Sequence, residues 1–108
     1  MDTGTVMQEA RIRKVVISLD KNGQPQVDKE NETITLNRLK NEEIVWTSTE
    51  KFRIDFKSGS PFYEDQFDNT NANSGLVRRD VLSSKFRKYE YTIDINGEIL
   101  DPGIIIDP

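Results

Sequence analysis

The sequence predicts an all-β domain, specifically a Greek-key β-sandwich. Three observations carry that expectation. Apolar residues recur at every second position in several short runs, and no window of about 11 residues holds a helical period. Turn-forming Gly, Asn, Asp and Pro separate about seven such runs. The chain is 108 residues long, which is room for one ordinary domain. A domain of this size buries about 65% of the surface its unfolded chain exposes, enough for a core without disulfide or metal staples.

Taken in order, residues 1–10 are polar and aperiodic and read as a flexible N-terminal arm, with the sandwich domain over 11–108. Ile12 to Leu19 forms the first strand, with Val15, Ile17 and Leu19 on one face and β-branching favouring extended backbone. Asp20-Lys21-Asn22-Gly23 turns the chain, because Asn and Gly tolerate positive φ. Gln24 to Asp28 continues extended at an edge, since Pro25 has no N–H to donate. Thr33–Leu36 is a second strand and Glu42–Thr47 a third, with Ile44 and Trp46 sharing a face. Phe52-Arg53-Ile54-Asp55-Phe56 is the cleanest alternation in the chain. Residues 57–75 read as a long irregular loop, rich in Gly, Ser, Asn and Asp. Leu76-Val77 and Val81-Leu82 suggest one or two further short strands. Phe86 to Ile95 alternates again, with Tyr89, Tyr91, Ile93 and Ile95 on one side. Asn96-Gly97 turns, Asp101-Pro102-Gly103 breaks, and Ile104-Ile105-Ile106 closes the fold.

Composition removes whole classes of chemistry. The chain has no Cys and no His. It therefore has no thiol nucleophile, no imidazole base, no thiolate–zinc site and no histidine-ligated copper or haem. The formal net charge of −4 argues against a non-specific nucleic-acid binder. No run approaches 18 apolar residues, and Met1 to Thr5 lacks the basic-then-apolar start of a signal peptide. A cytoplasmic protein is expected, free of nucleic acid and membrane; a mature secreted or periplasmic form has the same sequence features.

Two segments resemble a known family. Tyr89-Glu90-Tyr91-Thr92-Ile93, followed by a turn and Asp101-Pro102-Gly103-Ile104-Ile105-Ile106, resembles the end of a cupredoxin of the plastocyanin-like class. There a Tyr-x-aromatic-x-Cys strand leads into a ligand loop and a Gly opens the last strand. Ile44-Val45-Trp46 followed by Phe52 to Phe56 resembles the hydrophobic strand and the segment carrying the first histidine ligand. The resemblance runs in pattern from Val15 to Asp107 and is specific in residues 42–56 and 86–107. Carried over by position, the first His falls near Phe52, the Cys on Ile93, the second His near Asn96 and the Met near Asp101. A blue-copper site needs two imidazoles and a thiolate, so the resemblance implies a cupredoxin-like domain without copper and without any other cofactor. The Asp-Pro-x-Ile ending and Trp46 also resemble, more faintly, bacterial inclusion-body proteins with a related sandwich.

Candidate sites each carry two readings. Phe62, Tyr63 and Phe67 form either a partner or sugar-stacking patch or a plug for the open end of the sandwich. Arg78, Arg79, Lys85, Arg87 and Lys88 against Asp80 give residues 76–89 a local charge of +4, leaving −8 on the rest. That asymmetry suits an acidic partner, or is a solvated face. Glu64, Asp65, Asp68, Asn69, Asn71 and Asn73 are oxygen donors that Ca²⁺ accepts, but not at EF-hand spacing. Asp94 and Asp101 are the carboxylates available for acid–base work, although Asp94 faces solvent and Asp101 precedes a Pro. No arrangement compels an enzyme. The function expected is a binding or assembly module, contacting a protein partner or itself; the alternatives are a carbohydrate-binding or carboxylate-based hydrolytic domain and a calcium-stabilised domain.

Overall fold

The computed structural model describes residues 11–81 and 88–107. The expected N-terminal arm, Leu82, Lys85 and Arg87 lie outside them. Eleven strands form among the described residues: β1 Ile12–Val16, β2 Ser18–Leu19, β3 Pro25–Gln26, β4 Thr33–Asn37, β5 Glu43–Thr47, β6 Arg53–Asp55, β7 Gln66–Asp68, β8 Lys88–Glu90, β9 Thr92–Ile95, β10 Glu98–Leu100 and β11 Gly103–Asp107. A single 3-10 turn, Lys29–Asn31, precedes β4. The protein is thus all-β, in four small sheets consistent with a sandwich. No helix among the described residues is long and apolar enough to cross a membrane.

Period-two patterning produces this arrangement because burying one face of a strand fixes its register. Ile34 and Leu36 of β4, Ile44 and Trp46 of β5, Ile93 and Ile95 of β9, and Ile104 and Ile106 of β11 are all buried. β1 runs parallel to β5 with Val15 opposite Trp46. β4 runs parallel to β11, whose other side takes β8 antiparallel. β10, β9, β6 and β7 form an antiparallel sheet, and β2 pairs with β3. Asn96 and Gly97 both hold positive φ (55° and 88°) in the two-residue turn between β9 and β10. The Asp94 Oδ1 accepts the Gly97 N–H at 2.9 Å and sets that turn. β11 opens on Gly103 because the Lys88 stem crosses it: a Cβ there would lie 2.1 Å from Lys88 Cε.

Several expected elements are subdivided or displaced. The strand expected over 12–19 leaves its sheet after Ile17, whose N–H donates to the Thr47 carbonyl at 2.8 Å before β2 pairs with β3. The one expected over 86–95 changes sheets at Tyr91: β8 pairs with β11, and β9 with β6 and β10. The Tyr91 N–H donates instead to the Pro102 carbonyl at 3.0 Å. Alternation continues through both corners, so the hydrophobic pattern does not mark them. The expected loop over 57–75 contains β7, paired with β6 through Phe67 opposite Ile54. Phe67 is its one apolar side chain, too little for a periodic signal. Val77 makes only a single bridge, with Phe62, and Val81 lies in no strand.

One core joins the sheets. Trp46 of β5 reaches across to Phe67 of β7 (ring centroids 5.0 Å apart) and to Tyr91 (5.7 Å). Tyr91 stacks on Phe56 at 4.9 Å. Within this dry cluster the Trp46 Nε1–H donates to Tyr91 Oη at 3.2 Å. Burial pushes the Tyr91 phenol up to about 12, with the indole hydrogen bond acting the other way.

That shift generates a prediction. Below pH 10 the phenol is protonated in both states and its burial is fully effective. Between about pH 10 and 12 the unfolded chain releases the proton while the folded chain holds it, so stability falls, by at most about 3 kcal/mol. Tyr91→Phe should lose about 1–2 kcal/mol at neutral pH, because the indole N–H loses its acceptor, yet show a shallower alkaline decline. Urea unfolding at pH 8 and pH 11.5 measures both; parallel alkaline declines would contradict the assignment.

Candidate functional site

The four positions carried over from the copper family do not converge. Phe52 and Asn96 line one cleft of about 460 Å³, with Lys51, Arg53, Asp68, Asn69 and Asp94. Ile93 is fully buried opposite Ile54 in the sheet interior. Asp101 lines a separate cleft with Asp55, Glu90 and Thr92, and its Oδ1 accepts the Thr92 hydroxyl at 3.0 Å. Phe52 and Ile93 have no donor atom, and the remaining two are apart. The residues present do not fit a blue-copper ion.

The same separation divides Asp94 from Asp101, which face different clefts. The oxygen-rich stretch 64–73 is likewise engaged in its own loop. Asp68 Oδ1 accepts the Thr70 N–H and hydroxyl at 2.8 and 2.6 Å, and these bonds hold its carboxyl below the usual carboxylate value. Asn69 accepts the Phe52 N–H at 2.8 Å and donates to the Glu50 carbonyl at 3.0 Å, tying the loop after β5 to the turn after β7. Asn71 donates to Glu64, and Asn73 accepts the Gly75 N–H. Among the described residues, no three Asp or Glu side chains group together to hold a metal ion.

Of the expected aromatic patch, only Tyr63 is at the surface. Phe62 and Phe67 are core residues, 1% and 2% exposed, in edge-to-face contact with Phe56 at 5.9 and 6.2 Å. Both are corrections to the expected partner surface, and both have one cause: a large apolar ring beside an open sheet end is driven inward. Ser60 aims them. Its Oγ accepts the Phe62 N–H at 2.9 Å and donates to the Glu64 carbonyl at 2.8 Å. This tight turn points Phe62 in and Tyr63 out, 70% exposed.

Tyr63 borders a second cleft of about 460 Å³, lined by Arg38, Asn41, Glu42, Leu76, Val77 and Arg79. The Arg79 N–H reaches Tyr63 Oη at 3.4 Å. Arg38 donates to the Val81 carbonyl, anchoring the segment after Val77 against the turn after β4. Glu42 is the cleft's carboxylate: it accepts the Asn37 N–H at 2.6 Å and sits 3.8 Å from Arg13. Arg78 pairs with exposed Asp80 at 3.4 Å, a contact of small energetic value. Lys88 is elsewhere, its stem over Gly103, and Lys85 and Arg87 lie outside the described residues. The structure therefore joins Tyr63 and Arg79, two of the expected surface residues, with Arg38 and Leu76, which the sequence reading had not placed in a site. An apolar Leu39 amid polar residues 37–41 is the signal that marks this turn.

Comparison with known proteins finds no matching family model, no matching curated protein and no matching solved structure.

Stability separates the two aromatic roles. Phe62→Ala should destabilise by about 3–5 kcal/mol, as removal of a buried ring does. Tyr63→Ala should remain within about 0.5 kcal/mol of the parent. Denaturant midpoints for the two variants decide; a large loss at Tyr63 would make it a structural residue.

Proposed function

We propose that the chain is a non-catalytic, copper-free, cupredoxin-like module of Greek-key type that binds protein, with the Tyr63–Arg79 cleft as its contact surface. One observation carries the binding part. Six large hydrophobic side chains are exposed among the described residues. Two of them, Tyr63 and Leu76 (46% exposed), line this cleft, and a third, Leu39 (77%), belongs to the turn that supplies Arg38 and Asn41. Exposed apolar groups concentrated at one place mark interaction surfaces, whereas scattered ones do not. Tyr and Arg are also the side chains that most often dominate contact energy, because each offers a broad apolar body with a polar tip.

The family part draws support from the residues. β11 opens on Gly103, as the resemblance implies, and the donor set excludes copper by chemistry. Arg38 and Arg79 favour a partner segment with carboxylates, and Leu39, Tyr63 and Leu76 one with apolar side chains between them.

An array of short peptides tests this, comparing acidic sequences interrupted by Leu or Phe with uncharged and basic controls. The parent should retain the acidic–apolar class selectively. Tyr63→Ala and Arg79→Glu should each weaken retention at least about tenfold, a loss of about 1.4 kcal/mol, while melting as the parent does. Equal retention of all classes, or retention untouched by both substitutions, would overturn the proposal.

A further inference from the structure

We infer that the segment occupying this cleft belongs to a second copy of the chain, arriving by its opposite end, so that copies associate head to tail. The inference rests on the reading of the cleft as a protein-contact surface and names the partner.

Charge is unevenly distributed along one sheet. In the β4–β11–β8 sheet, Thr33, Gly103 and Glu90 stand in register at one end, and Asn37 and Asp107 at the other. Four residue steps of strand separate the ends, about 13 Å. At the first end the exposed residues Asp28, Glu30, Glu32, Glu90 and Asp101, with half-buried Asp55, outnumber Lys29, Lys57 and Lys88. The Glu32 carbonyl accepts the Gly103 N–H at 2.9 Å, which binds the 28–32 segment to the start of β11 beside Asp101. The second end is where the cleft lies. The Arg38 N–H donates to the Asp107 carbonyl at 3.0 Å, and the Arg38 guanidinium holds the segment bearing Arg78 and Arg79. Lys40 adds a further exposed cation. Of the carboxylates there, Glu42 and Asp80 lie 3.8 Å from Arg13 and 3.4 Å from Arg78, and Asp107 is half-buried.

Among the described residues this sheet is therefore dipolar, acidic at one end and cationic at the other. Like ends of two copies repel and unlike ends attract, which disfavours a two-fold contact of cleft with cleft and brings the acidic end of one copy to the cleft of the next. Such a contact uses different surfaces on the two copies, so each copy keeps one end free, and the assembly grows into a ring or an open chain.

Sedimentation velocity of the full chain, from low micromolar to submillimolar concentration, tests this with two charge-reversed variants. Lys40→Glu/Arg79→Glu makes both ends acidic, and Glu32→Lys/Glu90→Lys makes both basic. All four residues are exposed, and circular dichroism confirms that both variants melt as the parent. The parent should sediment faster as concentration rises. Each variant alone should associate at least about tenfold more weakly, because its ends now repel. An equimolar mixture of the two should regain association, since each then presents an end complementary to the other. A parent that stays monomeric throughout, variants that associate as the parent does, or a mixture that stays monomeric would each overturn the inference. If the parent is monomeric while acidic–apolar peptides are still retained, the cleft reading stands and the occupant is a different protein; if no peptide is retained, both readings fall.

Discussion

The indole of Trp46 has to be buried, and its N–H has to be bonded once it is. Trp46 lies near the end of β5, packed against Phe56, Phe67 and Tyr91, and it is 1% exposed. A buried indole donor without an acceptor costs about 1–3 kcal/mol. Tyr91 supplies the acceptor at the residue where the chain passes from β8 to β9, that is, from one sheet to another. The hydrogen bond therefore fixes two things together: the height of β5 in the sandwich and the place of the corner. Phe56 and Phe67 fill the space around the pair. The backbone agrees with the side chains, since the Trp46 N–H donates to the Ala72 carbonyl at 2.9 Å and draws residues 72–74 alongside β5.

The candidate surface follows from that packing. Once Phe67 and Phe56 surround Trp46, a gap remains beside them that Phe62 fills. The tight turn at Ser60 places Phe62 inside, and the next residue, Tyr63, must then project outward. Phe62 also bridges Val77, so the chain after Gly75 is held against the same corner, and Leu76, on the opposite side of the backbone from Val77, is left at the surface. Arg78 donates its N–H to the Pro61 carbonyl at 2.8 Å, completing the attachment. The exposed cleft is in this sense the outer face of the aromatic plug.

Much of this was legible in the residues. Val15, Ile17, Ile34, Leu36, Ile44, Trp46, Ile54, Phe56, Tyr91 and Ile93 are expected inside from period two alone, and all are buried; Leu19 is partly so. The turns at Gly23 and Asn96-Gly97 are readable because positive φ favours few residue types. What stayed hidden has common physical causes. β7 and β10 are three residues each, too short to show a period. The sheet changes at Ile17 and Tyr91 leave the inward-facing alternation intact. The outward face of Tyr63 and the inward face of Phe62 depend on the Ser60 turn, and that of Phe67 on its pairing with Ile54; three aromatics within six positions look alike in sequence. Arg38 and Leu76 meet across the fold, 38 positions apart, and no local pattern joins them.

The central claim is that Trp46 and Tyr91 meet in a dry core between two sheets. Proton NMR tests it most directly through nuclear Overhauser contacts to the single indole. The account predicts cross-peaks from the Trp46 ring to the Tyr91 and Phe67 rings, and an indole N–H protected from exchange with solvent. An indole proton that exchanges freely, or one whose ring contacts join it to neither residue, would contradict the packing on which the sheets, the plug and the exposed cleft all depend.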